Sequence, residues 1–133
     1  MIQFDWNNYF ELAKKLAQNE EEASWRTSIS RAYYALFNVL CKHVKRFQSR
    51  TDKHRQLINI LKDEYEWHRL NETFGGVAEY DIKHIGFELN ELRDLRNFAD
   101  YSASKIISKS LAIDTCDRVQ SIFDIISEAQ EKS

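Results

Sequence analysis

The segment from Asp81 to Tyr101, DIKHIGFELNELRDLRNFADY, constrains the fold more than any other. Its apolar residues Ile82, Ile85, Leu89 and Leu92 recur at alternating steps of three and four, which lays one stripe along a helix. Continued, that stripe runs through Arg96 and Ala99, so a guanidinium stands where the pattern calls for another leucine. Asn97, Asp100 and Tyr101 follow it directly. An arginine on a core-facing line is costly unless it is paired, hydrogen-bonded or opens into a cleft. The spacing therefore predicts Arg96 half-buried, with its guanidinium in a cleft or at an interface. It marks a site without naming the chemistry.

The rest of the chain points to the same class. The absence of proline and the presence of only three glycines, Gly75, Gly76 and Gly86, argue against a turn-rich β fold. The 133 residues suffice for one domain with a real core, taken as residues 1–133, and 43% hydrophobic residues argue against disorder. A net charge of -2 carries no global signature of nucleic-acid binding. Cys41 and Cys116 form no CxxC, so neither a disulfide framework nor a zinc site is expected. The opening MIQFDWNNYF lacks the basic region and apolar run of a signal peptide, and no apolar run is long enough for a membrane span. The expectation is a soluble cytoplasmic protein.

Periodicity predicts a first helix from Asp5, as N-cap, to Asn19, burying Trp6, Tyr9, Leu12, Ala13 and Leu16. Glu20, Glu21 and Glu22 read as a solvated connector. A second helix runs from Ser24, as N-cap, to Phe47, with Ile29, Tyr33, Leu36, Phe37, Leu40, Val44 and Phe47 inward. Arg31, Tyr34 and Asn38 lie beside that stripe. They face a neighbouring helix or a partner, or Arg31 is simply solvated with its stem packed on aromatic rings. A third helix is predicted over Lys53 to Leu70, with Leu57, Ile58, Leu61, Tyr65 and His68 inward or half inward, followed by a loop from Asn71 to Gly76. The fourth runs from Glu79 or Asp81 to Asp100. Gly86 inside it implies close approach by a bulky side chain or another helix, since glycine there costs about 1 kcal/mol relative to alanine. The last helix spans Ser110 to Glu131, with Ala112, Cys116, Val119, Ile122, Phe123, Ile126 and Ala129 inward. The predicted fold is all-α: an up-and-down antiparallel bundle of four long helices plus a shorter N-terminal helix.

One window departs from the acidic balance. Lys42, Lys45, Arg46, Arg50, Lys53 and Arg55 stand against the single acid Asp52. Such a basic corner contacts phosphates, or its first members merely suit the C-terminal end of a helix dipole. His54 is either an incidental surface residue or an acid–base group. Asp81 and His84 make one acid-x-x-His pair, and a bundle di-metal site needs a second pair and two further carboxylates, so no metal and no cofactor is expected. Gly75-Gly76 is not followed by the residues of a phosphate loop, and no GxSxG occurs.

Two stretches, SRAYYALFNVL (Ser30 to Leu40) and LRDLRNFADY (Leu92 to Tyr101), resemble the HEPN domain family. The likeness is to its small stand-alone bacterial and archaeal members with an R-x-YYA helix and an R-x-x-ADY motif, and it covers nearly the whole chain. The resemblance implies a bundle that commonly dimerises with the arginine motif facing a cleft. It also implies metal-independent ribonuclease chemistry in toxin–antitoxin, defence or RNA-processing systems. In that family the arginine, often followed by a polar residue, is separated from a histidine by four to six intervening residues. Arg96 and Asn97 match the first two positions, and the histidine position falls on Tyr101.

That departure bears on the chemistry. Metal-free RNA cleavage needs a base for the 2′-OH, charge stabilisation at phosphorus and a proton for the leaving oxygen. Arg96, doubled across a dimer, supplies charge. A phenol with an ordinary pKa near 10 is a poor base at neutral pH, so Asp100 or His54 would have to serve. Candidate catalytic residues are thus Arg96, Asn97, Asp100 and Tyr101; candidate binding residues are Arg31, Tyr34, Lys53, His54 and Arg55. Two functions remain: a ribonuclease-like RNA-binding protein, or a non-catalytic helical module that binds a partner such as the nucleotidyltransferase often associated with this family. A third reading of the motif is purely structural, with Arg96 pairing Asp100 at a dimer seam.

Overall fold

The computed structural model describes residues 3–44 and 52–132, all of it helix, turn or loop. Helices α1 (Asn7–Ala17) and α2 (Glu22–Val44) form a hairpin. After residue 52 come α3 (Lys53–Lys62), a 3-10 turn (Glu64–Glu66) and the short α4 (Trp67–Thr73). Then follow α5 (Glu79–Tyr101) and α6 (Lys109–Lys132). Three of these helices are long, and the third predicted helix is replaced by two short ones. The pairs α2–α5 and α3–α5 run antiparallel, as their contacts show. Along α2 and α5, Arg26 meets Ala99, Ser30 meets Asp100, and Tyr33 meets Arg96. Along α3 and α5, Asp52 meets Arg93 while Lys62 meets Phe87.

The stripe on α5 holds throughout: Ile82, Ile85, Leu89, Leu92, Arg96 and Ala99 are all buried. So does the stripe on α2, where Ile29, Tyr33, Leu36, Phe37, Leu40 and Val44 are buried, with Arg31, Tyr34 and Asn38 half-buried beside it. Each fully buried leucine or isoleucine contributes about 1.5–3 kcal/mol. Phe47, the predicted end of α2, lies outside the described residues.

Helix α1 sits in a different register from the one predicted. Phe10, Ala13 and Ala17 are buried, whereas Leu12 is exposed and Trp6, Tyr9 and Leu16 are half-buried. Small residues decide this. Ala13 faces the α2 stretch that carries buried Ser28, closely enough for Ser28 Oγ to donate to the Ala13 carbonyl at 2.7 Å, and Ala17 lies beside Ile113 and Cys116 of α6. The helix starts also differ. Asp5 is not the N-cap of α1, Trp6 is, although Asp5 Oδ1 accepts from the Asn7 N–H at 3.0 Å. Helix α2 begins two residues before Ser24, and its first-turn Glu22 pairs with Arg26. Glu20 pairs with Lys109, so of the acidic run Glu21 alone has no ion pair among the described residues.

The third predicted helix breaks at Asp63. Its ψ of 111° leaves the helical region, and its carboxylate accepts from the Tyr65 N–H at 3.0 Å, the local competition with helix that a short acidic side chain offers. Trp67 Nε1 donates back to the Leu61 carbonyl at 2.9 Å and fixes the bend. Leu57, Ile58 and Leu61 are buried as expected, but Tyr65 is 90% exposed and His68 is exposed. The core continues instead through Leu70, Phe74 and Val77. The predicted loop therefore starts at Phe74, and Asn71 to Thr73 belong to α4.

Gly86 explains the approach of α3. A Cβ built there would stand 3.1 Å from Leu61 Cβ and 3.2 Å from the Leu61 carbonyl carbon, tighter than ordinary packing against a backbone that would have to move. On α6, Ala112, Cys116, Val119, Ile122 and Ile126 are buried as predicted, Phe123 and Ala129 are half-buried, and Thr115 is an additional buried residue. Arg118 ties α6 to α5 through Glu88 and Glu91.

Candidate functional site

Arg96 is 6% exposed and enters the seam between α2 and α5. Its guanidinium carbon lies 5.2 Å from both the Tyr33 and the Tyr34 ring centroids, a double cation–π contact. Asp100, one turn on, places Oδ2 at 3.9 Å from Arg96 Nη1, close enough for an ion pair but too far for a hydrogen bond. That same oxygen accepts from Ser30 Oγ at 3.2 Å. Among the described residues Arg96 Nε is buried without a hydrogen-bond partner. The side chain is thus desolvated, held by rings and only loosely answered by charge. Leu95 beside it is half-buried and does not replace it on the core line.

An imidazole reaches this cluster from a distant part of the chain. His54, in the first turn of α3, brings Nδ1 to 2.6 Å from Tyr33 Oη and stacks on Phe37 with ring centroids 3.9 Å apart. The start of α3 is fixed by Asp52, whose Oδ1 accepts from the N–H groups of His54 at 2.9 Å and Arg55 at 3.3 Å. Its Oδ2 takes Nη2 of Arg93 at 2.7 Å, and that bond holds the carboxyl below the usual carboxylate range. Burial lowers the proton affinity of His54, and the charges of Arg96 and Arg93 lower it further, with Asp52 opposing. Burial pushes the Tyr33 phenol well above its usual range against the pull of the same arginines. Both rings are neutral at pH 7. Where the phenol donates to Nδ1, Nε2 carries the ring proton; where Nδ1–H donates to the phenol oxygen, Nε2 is an acceptor.

The depressed His54 has a consequence for stability. The unfolded chain takes up a proton near the ordinary value of 6.5, while the folded form resists it, so stability falls as pH drops through that value towards the lower folded one. Urea midpoints at pH 8 and pH 5.5 are expected to differ less for His54→Gln than for the parent. Equal pH sensitivity in both proteins would show that His54 is not the group responsible.

The remaining predicted residues disperse. Tyr101 is 77% exposed and lines an open hollow of about 420 Å³ with Glu22, Arg26 and Asp100. Asn97 is half-buried. Arg31 is half-buried and turns to the neighbouring helix α1, where its guanidinium lies 5.1 Å from the Tyr9 ring. Lys53 and Arg55 are exposed on the first turn of α3, and Lys42 is exposed near the end of α2. Lys45, Arg46 and Arg50 of the basic window lie outside the described residues. The fold therefore brings together Arg96, Asp100, Tyr34 and His54, and leaves Tyr101, Arg31, Lys53 and Arg55 at its margins.

Sequence reasoning missed Ser30, Arg93 and Asp52 as parts of this cluster, and it gave Tyr33 only a core role. Arg93 carried one usable signal, since it sits one turn before Arg96 and beside the buried Leu92. Among the described residues, no three His, Cys, Asp or Glu side chains converge as metal ligands, and no helix is long and apolar enough to cross a membrane. No protein-family model matches this chain, and no curated protein matches it.

Proposed function

We propose that this is a HEPN-type RNA-binding, ribonuclease-like protein of a toxin–antitoxin, defence or RNA-processing system in the cytoplasm. In this reading a two-fold dimer brings two Arg96 motifs to one RNA strand. The observation that carries it is the state of Arg96: almost wholly buried on the core line, with no hydrogen bond to a described residue and its carboxylate neighbour at 3.9 Å. A guanidinium left so poorly answered suits an external oxyanion, and a phosphodiester offers the matching geometry. The imidazole needed for proton transfer comes from His54 rather than from the Tyr101 position, and it is neutral at physiological pH.

The test is incubation of purified protein with mixed RNA, with and without chelator, beside Arg96→Ala and Tyr101→Phe. Slow cleavage that ignores the chelator, disappears in Arg96→Ala and persists in Tyr101→Phe is the expected result. Cleavage that survives Arg96→Ala, or that needs a divalent metal, would overturn the reading.

One observation favours a second function. The outer face of α5 carries exposed Tyr80, Phe87, Phe98 and Tyr101 at helical spacing. A non-catalytic module docking a partner protein, such as a nucleotidyltransferase, would use that face, and absence of both RNA binding and cleavage in a folded protein selects it.

A further inference from the structure

Arg93 stands one turn before Arg96, and it too is incompletely answered. Its Nη2 donates to Asp52, but its Nε and Nη1 are buried with no hydrogen-bond partner among the described residues, as is Arg96 Nε. Three buried guanidinium nitrogens without described acceptors on adjacent turns of one helix are costly, and native structures rarely retain them without a use. The group that does answer Arg93 has two tasks. One oxygen of Asp52 caps α3 and the other holds the arginine, although the Asp52 side chain itself is about half exposed. It is an anion seated from outside on a mostly buried cation.

We propose that Arg93 and Arg96 form a paired phosphate-binding site, occupied in the free protein by the Asp52 carboxylate, which an incoming phosphate oxyanion displaces from Arg93. A guanidinium fork takes phosphate oxygens in the same geometry as a carboxylate, so the exchange replaces one acceptor by a better-charged one. The cap oxygen of Asp52 is not involved, and the start of α3 survives the exchange. The phosphate belongs to an RNA backbone or to a free phosphate group; only the first depends on the function proposed above. His54 reports on the site, because it faces Tyr33 and Tyr34 from α2, Arg93 and Arg96 from α5, and Asp52 at its own helix start. An added anion favours its charged form.

The experiment follows the His54 ring and Arg93 Nε–H resonances by NMR as inorganic phosphate, and separately a short single-stranded RNA, is added to the parent, Asp52→Asn and Arg93→Gln. Asparagine caps a helix as well as aspartate does, so Asp52→Asn removes the competing charge and keeps the helix start. Phosphate is expected to move both resonances and raise the His54 pKa. Binding should tighten about threefold or more in Asp52→Asn and weaken about tenfold in Arg93→Gln. Should Arg93→Gln fail to fold, Asp52→Asn decides alone. Unchanged or weaker binding in Asp52→Asn, or a silent Arg93 resonance, would overturn the proposal. A response to phosphate but not to RNA upholds the site and removes the RNA reading. RNA binding that needs Arg96 yet ignores Asp52→Asn and Arg93→Gln upholds the RNA reading and removes the site.

Discussion

An Arg96→Met variant is expected to be at least as stable as the parent while losing roughly tenfold to a hundredfold in RNA affinity. The two halves of that result have separate causes. In the free protein the guanidinium is stripped of water, its Nε has no acceptor among the described residues, and Asp100 approaches no closer than 3.9 Å. An unanswered buried donor costs about 1–3 kcal/mol, and the two tyrosine contacts return about 0.5–1 kcal/mol each. Methionine keeps the volume, packs on the same rings and carries no charge, the kind of exchange that is often neutral or stabilising. Affinity falls because the charge-assisted contact to phosphate is gone. Urea unfolding and fluorescence anisotropy with labelled RNA measure the two. A stability loss above about 2 kcal/mol with unchanged RNA affinity would make Arg96 a strut at a polar seam, which is the structural role the sequence also allowed.

Arg26→Ala should behave in the opposite way, losing about 3 kcal/mol of stability. Every nitrogen of Arg26 donates. Nε pairs with Glu22 at 3.0 Å, Nη1 reaches the carbonyls of Phe98, Ala99 and Ser102 at 3.0 to 3.2 Å, and Nη2 reaches the Lys105 carbonyl. One side chain of α2 thus gathers four carbonyls at the end of α5 and in the turn beyond it, of which those of Phe98 and Ser102 also accept from the Ser102 and Lys105 N–H groups. Alanine leaves those carbonyls to whatever water can enter the seam. Lysine should not rescue, because a single ammonium lacks the planar fork that serves both segments. Thermal unfolding and hydrogen exchange over residues 98–105 provide the check. A loss below about 1 kcal/mol would mean that water replaces the guanidinium without difficulty.

What the sequence revealed, and what it concealed, follows from the range over which each signal acts. The α5 stripe was legible to its last member because period and burial agree over the whole helix, and Arg96 was conspicuous only against that regularity. Gly86 was legible for a similar reason, as a helix interior that tolerates a poor helix former must gain elsewhere. The Asp63 break was not. Leu61, Tyr65 and His68 keep helical spacing across it, and only a local carboxylate-to-backbone bond diverts the chain. The α1 register was misjudged because large residues were assumed to face inward, whereas alanines allow the closer helix pair. Least legible were Arg26 on the end of α5, Asp52 on Arg93 and His54 on Tyr33. These are pairs separated by 72, 41 and 21 positions or thereabouts, with no periodicity linking their members.

The bare backbone at Gly86 has a reach that its position conceals. Helix α3 crosses α5 at two points: against Gly86 near its end, and through Asp52 on Arg93 at its beginning. A rod held at two places has its tilt set by both. Gly86 lies ten residues, or about 15 Å along the axis, from Arg96. Its missing side chain nonetheless governs the angle at which α3 delivers His54 to Tyr33, so the geometry of the polar cluster is calibrated from the far end of the helix.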